Sequence, residues 1–187
     1  MSETAPLTIL GICGSLRRES WNKKLLNACT GLVPEGVTLS VHPIDDVPLF
    51  NGDVYDQGFP EPVQRLRAAI AAADALLFVT PEYNYSIPGV LKNAMDWVSR
   101  PPSQPFAGKA AATLGASPGL HGTVRGQTHT REVCMGLGMI VSPKPEVYVG
   151  RAHEKFNAAG ELTDADTAKF VRESLANLAN LARKLRA

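Results

Sequence analysis

Leu7-Thr8-Ile9-Leu10-Gly11-Ile12-Cys13-Gly14-Ser15 is the stretch that decides the fold of this chain. A near-continuous apolar run stops abruptly at a glycine and a serine. A strand covered on both faces reads this way, because neither face needs polar residues. Such strands belong to parallel sheets sandwiched between helices. A helix is expected from about Asn22, with Leu25, Leu26 and Cys29 on one face and Gly31 and Pro34 closing it.

The same unit recurs downstream. Val37 to Val41 alternates apolar and polar residues, as an outer strand does. His42 to Pro62 holds four prolines and two glycines and reads as a long irregular connection. A helix is expected from Glu61 to Ala73, then the buried strand Ala75-Leu76-Leu77-Phe78-Val79-Thr80. Pro81-Glu82-Tyr83-Asn84-Tyr85-Ser86 breaks that strand, and Pro88 opens a helix that runs to about Ser99. Lys109 to Gly115 reads as a fourth strand, leaving through Ser117-Pro118-Gly119, with a helix over Thr123 to Leu137. A fifth strand lies within Met139 to Val149, interrupted by Pro143 and Pro145. Thr163-Asp164-Ala165-Asp166 caps a last helix that reaches Arg186. Five strand–helix alternations imply right-handed crossovers. The expected fold is α/β: one flavodoxin-like domain over residues 1–187, with a five-stranded parallel sheet in the order 2-1-3-4-5 and helices on both faces.

Composition sets further limits. A chain of 187 residues fits one domain with a sizeable core, and 44% hydrophobic with 20% charged residues is an ordinary globular balance. A net charge of +1 argues against a nucleic-acid or anionic-membrane partner. Cys13, Cys29 and Cys134 are an odd number, without a CxxC pair, and suit neither a zinc site nor a disulfide framework. His42, His129 and His153 share no metal-ligand spacing. Met1 to Pro6 lacks the regions of a signal peptide, and no apolar run approaches the roughly 20 residues that cross a bilayer. A cytoplasmic location is expected, with no metal, no nucleic acid and no membrane partner.

In open parallel sheets a ligand sits beyond the carboxyl ends of the strands, near the switch in strand order. That rule selects three loops: Gly14 to Asn22, Pro81 to Ser86, and Ser117 to Gly122. The first combines glycine, serines, two arginines and asparagine just before a helix. A helix N-terminus offers free N–H groups and the positive end of its dipole to an anion. Ser15, Ser20 and Asn22 supply short polar side chains, and Arg17 or Arg18 supplies charge. Gly11-Ile12-Cys13-Gly14 lacks the G-x-G-x-x-G spacing, and no G-x-x-x-x-G-K-[ST] occurs. A monophosphate site fits this loop better than a dinucleotide loop or a P-loop, although an ordinary serine-capped turn has the same composition.

Gly14-Ser15-Leu16-Arg17 with Ser20 and Asn22 resembles the phosphate loop of the NADPH-dependent FMN reductase family. Pro81-Glu82-Tyr83-Asn84, followed by Ile87-Pro88-Gly89, Leu91-Lys92-Asn93 and Asp96-Trp97, resembles that family's second signature. The similarity extends through Ser117-Pro118-Gly119 to Pro143-Lys144-Pro145-Glu146 and is strongest to the quinone, azo-dye and chromate reductase branch. The resemblance implies FMN as cofactor at a homodimer interface, with a homotetramer as the larger alternative. It implies that Ser15, Arg17, Ser20 and Asn22 serve the phosphate. Pro81, Glu82, Tyr83, Asn84 and Ser117 would border the isoalloxazine ring. It also implies hydride transfer from NAD(P)H, then ping-pong reduction of an acceptor: a quinone, flavin, ferric chelate, chromate or azo compound. FMN carries that chemistry, so no catalytic side chain is required. Leu120 and His121 depart from the glycine that often follows the Ser-Pro-Gly turn. The alternatives are a flavodoxin-type electron carrier and a non-catalytic flavin-binding module.

Overall fold

The computed structural model describes residues 6–186. Strands β1 (Leu7–Cys13), β2 (Val37–His42), β3 (Ala75–Val79) and β4 (Ala110–Ala116) run parallel in the order β2-β1-β3-β4. The fifth position is shared by two short strands, β5 (Ile140–Val141) and β6 (Val147–Val149). β5 pairs with the start of β4 and β6 with its end. The expected order 2-1-3-4-5 is therefore observed, with its last strand divided. Pro143 and Pro145 fall in the gap, where a proline lacks the N–H that a ladder needs.

Helices α1 (Trp21–Thr30) and α6 (Ala165–Arg186) cover one face of the sheet. Helices α3 (Glu61–Ala72), α4 (Gly89–Val98) and α5 (Val124–Gly136) cover the other. The strands feed both faces, which explains their apolar runs. Ile9, Leu77 and Leu114 pack with Leu25, Leu175 and Leu178, whereas Leu10, Leu76 and Phe78 pack with Leu66, Ile70 and Met95. Gly11 sets the depth of α1, since a Cβ there would stand 2.6 Å from the Leu26 side chain.

The long connection after β2 is largely irregular, as expected, and carries one short helix, α2 (Gly52–Tyr55), capped by Asn51. It is tied down over α4. The carbonyl of Pro48 accepts from Asn93 Nδ2 and Trp97 Nε1, both at 2.8 Å, and Phe50 meets Trp97 edge-on at 4.9 Å. Trp97 is fully buried, so it belongs to the core.

Candidate functional site

Because β1, β3 and β4 are parallel and adjacent, their carboxyl ends open on one edge of the sheet. The three loops selected from the sequence meet there. Backbone bonds stitch their roots, Gly14 N–H to the Val79 carbonyl and Thr80 N–H to the Leu114 carbonyl, each 2.9 Å.

The first loop ends in the α1 N-cap. Ser20 is extended (φ −73°, ψ 131°), and its Oγ accepts from the Asn22 N–H at 3.2 Å. A turn closed by Ser20 N–H to the Arg17 carbonyl precedes it. Ser15 and Ser20 are buried, whereas Leu16 to Glu19 are exposed. Among the described residues, the N–H groups of Leu16, Arg17, Arg18 and Glu19 have no protein acceptor. Four free donors, two hydroxyls and two guanidinium groups at a helix start form a donor set that matches a phosphate.

Asn22 stands apart from that set. It is 3% exposed, and its amide faces the last residue of β4. Nδ2 donates to the Ala116 carbonyl at 2.9 Å, and Oδ1 accepts from the Ala116 N–H at 2.8 Å. The side chain thus bonds α1 to the root of the third loop as a second strand would.

The second loop is a tight turn. Tyr83 and Ser86 exchange backbone bonds of 3.1 and 3.0 Å, with Asn84 and Tyr85 at φ 49° and 68°. Positive φ at both central positions is the signature of a type I′ turn. Asn84 adopts it readily, while Tyr85 does so at about 1 kcal/mol. Pro81 is buried, and Tyr83, Asn84 and Tyr85 are exposed on the rim. Glu82 turns away from the strand ends toward α5. Its Oε2 accepts from the N–H groups of Arg125 (2.8 Å) and Gly126 (3.1 Å), and Oε1 lies 3.6 Å from the Arg125 guanidinium. Ser86 Oγ and His129 Nδ1 of α5 are 2.8 Å apart, and the Arg125 guanidinium lies 4.4 Å from the Tyr85 ring centre.

The third loop is held against β6. Ser117 N–H bonds the Val149 carbonyl at 2.9 Å, Ala152 N–H bonds the Ser117 carbonyl at 3.0 Å, and Ser117 Oγ accepts from Gly119 N–H at 2.9 Å. Gly115 underlies both loops, since a Cβ there would overlap the Thr123 hydroxyl and the Thr80 carbonyl. Leu120 and His121 are exposed.

The nine selected residues therefore gather on one edge in two arrangements. Arg17, Tyr83 and Asn84 are exposed along that edge and Ser117 is half-buried, whereas Ser15, Ser20 and Pro81 are buried. Asn22 and Glu82 point into the framework. Sequence reasoning missed His129, Arg125 and Gly126, whose contacts to the second loop span more than forty residues. No group of three or more metal-ligating side chains is present among the described residues.

The model of the NADPH-dependent FMN reductase family matches residues 7–154. An NAD(P)H-dependent FMN reductase of Pseudomonas aeruginosa is 49% identical over 180 residues, covering 96% of this chain and 97% of its own. A 2-hydroxy-1,4-benzoquinone reductase of a Burkholderia species is 42% identical, covering 89% and 91%. The solved structure of FerB, a flavoenzyme NAD(P)H:(acceptor) oxidoreductase of Paracoccus denitrificans, superposes with a TM-score of 0.85 at 36% identity, covering 95% and 98%. A match that runs from β1 past β6 takes in all three loops of the strand edge, and on that ground the chain belongs to the NADPH-dependent FMN reductase family.

Proposed function

We propose that this protein holds FMN at the carboxyl edge of its sheet and uses it to reduce quinones with NAD(P)H. The observation that carries the reading is the first loop, with four unpartnered N–H groups and two buried serines ahead of a capped helix. Bound there, FMN supplies two-electron chemistry, accepting hydride from a reduced nicotinamide and releasing electrons to an acceptor. Leu16 to Glu19 would hold its phosphate through backbone donors, with Ser15 and Ser20 hydroxyls and the Arg17 guanidinium completing the cradle. Pro81, Tyr83, Asn84 and Ser117 would border the ring. The exposure of Tyr83 and Asn84 on the second loop supports a role for that loop in meeting a flat heterocycle.

Because nicotinamide and acceptor would both exchange electrons through the same flavin, a ping-pong order follows from this reading. Quinones lead the acceptor classes because relatives that cover most of this chain are named quinone reductases. Leu49 is 84% exposed beside Phe50, which hydrogen-bonds Asn93 of α4. This apolar surface supports self-association into a homodimer, to be read by sedimentation.

The deciding experiment is anaerobic addition of NADPH to FMN-loaded protein, followed by a benzoquinone. Loss and then recovery of the flavin absorbance is expected, with parallel double-reciprocal plots in steady state. A flavin that stays oxidised with both NADPH and NADH would reduce the protein to an electron carrier. Failure to take up FMN at all would leave a module without this chemistry.

A further inference from the structure

We propose that Asn22 and Glu82 are positioning residues that assemble the three loops into one rim before any cofactor arrives. The inference rests on the reading of that rim as an FMN site, and it departs from the expectation that both side chains touch the cofactor.

The geometry separates them from their neighbours. A ligand-binding amide or carboxylate should present free atoms to the opening. Asn22 instead spends both ends of its amide on one peptide unit, at 2.9 and 2.8 Å, inside a 3% exposed site. Ala116 ends β4, so its N–H and carbonyl would otherwise be buried without partners. Asn22 therefore replaces a missing strand at that point and fixes Ser117, the next residue, relative to the phosphate loop.

Glu82 does the corresponding work between the second loop and α5. Thr123, at the N-cap position of α5, gives no side-chain cap, and its hydroxyl accepts from Gln127 Nε2. The first turn of α5 is capped from a distance, by a carboxylate that enters from the loop after β3. Negative charge at a helix start is favourable in itself, which makes this contact a firm tie. The fit is close. A Cβ on Gly126 would stand 2.9 Å from the Pro81 carbonyl and 3.1 Å from Glu82 Cα. With both carboxylate oxygens turned to α5, Glu82 ties the second loop to that helix and has no carboxylate oxygen left for a ligand at the strand edge.

Hydrogen exchange on the FMN-free wild-type chain reads both ties without mutation. The amides of Ala116, Arg125 and Gly126 should exchange at least about 100-fold more slowly than those of Leu16 and Arg17. Equal rates that slow only when FMN is added would overturn the proposal. Variants give a second reading. Asn22→Ala and Glu82→Ala should lower the thermal midpoint of the FMN-free chain by on the order of 5–10 °C. Glu82→Gln, which keeps an acceptor for the α5 amides, should recover at least half of the loss and retain FMN affinity. An unchanged FMN-free midpoint with a tenfold or greater loss of affinity would make the two residues direct ligands and sink the idea. Should an alanine variant fail to fold, the exchange result on the wild-type chain decides. A wild-type chain that binds no FMN would end the functional reading and leave the two ties to stand or fall on exchange alone.

Discussion

Arg17 sits in the exposed part of the first loop, beside backbone donors that have no acceptor in the protein. An exposed guanidinium adds little to the free chain but forms charge-assisted bonds to a phosphate. Arg17→Ala should weaken FMN binding about 10- to 100-fold, the equivalent of ~1.5–3 kcal/mol for a hydrogen bond to a charged group. The FMN-free thermal midpoint should stay within about 1 °C, as for most surface changes. Flavin-fluorescence titration checks the first and calorimetry the second, and unchanged affinity would remove Arg17 from the cradle. Residue types were legible at this scale, but the direction each side chain faces was not. The local sequence around Asn22 is the same whether its amide meets a phosphate or a peptide group 94 positions away. Glu82 poses the same ambiguity, because its partners lie 43 and 44 positions downstream.

Elements were easier to read than side chains. Strands with two buried faces announce themselves through apolar runs, and β1, β3 and β4 fall within a residue of the expected bounds. The division between β5 and β6 was half visible: two prolines marked an interruption, but not that both halves pair with β4. The four-residue α2 was not expected, because one turn is too short to show a period. The last helix supports a prediction at this scale. Asp74 accepts from the Thr8 N–H (2.7 Å) and hydroxyl (2.9 Å) and pairs with Arg186 at the end of α6. Burial pushes its carboxyl up, but the Thr8 bonds and Arg186 outweigh this and hold it below the usual carboxylate range. A depressed carboxyl adds stability above its unfolded pKa, and that stability drains away as pH falls through the lower folded value. Asp74→Asn should cost about 1–3 kcal/mol at pH 7 and flatten the loss of stability below about pH 4. Urea midpoints at a series of pH values test this, and parallel acid limbs for variant and wild type would refute it.

At the scale of the molecule, two cores back to back on one sheet leave little room for reactive groups away from the strand edge. Cys13, Cys29 and Cys134 are all buried and unbridged. Burial pushes the thiols of Cys29 and Cys134 up to about 12 and raises that of Cys13 as well. Thiolate is the reactive form, so the folded protein should resist a chromogenic disulfide reagent at pH 8, with three thiols reacting once it is unfolded. One thiol that reacts rapidly in the folded state would contradict this. The burial of Cys13 and Cys29 followed from their places in an apolar strand and on an apolar helix face, whereas that of Cys134, in the mostly polar helix α5, did not. The convergence of three loops on one edge followed from strand order. The ties among those loops did not, because they are long-range bonds between groups that are individually unremarkable.

The divided last strand also bears on how the molecule avoids adding itself to others. An open sheet ends in rows of free backbone groups that invite another chain to pair. On the β5–β6 side those rows are only two and three residues long, with Pro143 and Pro145 between them, so no continuous template exists for growth. The opposite rim, β2, runs for six residues and leaves Val41 45% exposed. If this protein aggregates while partly unfolded, the first unwanted pairing should form along β2.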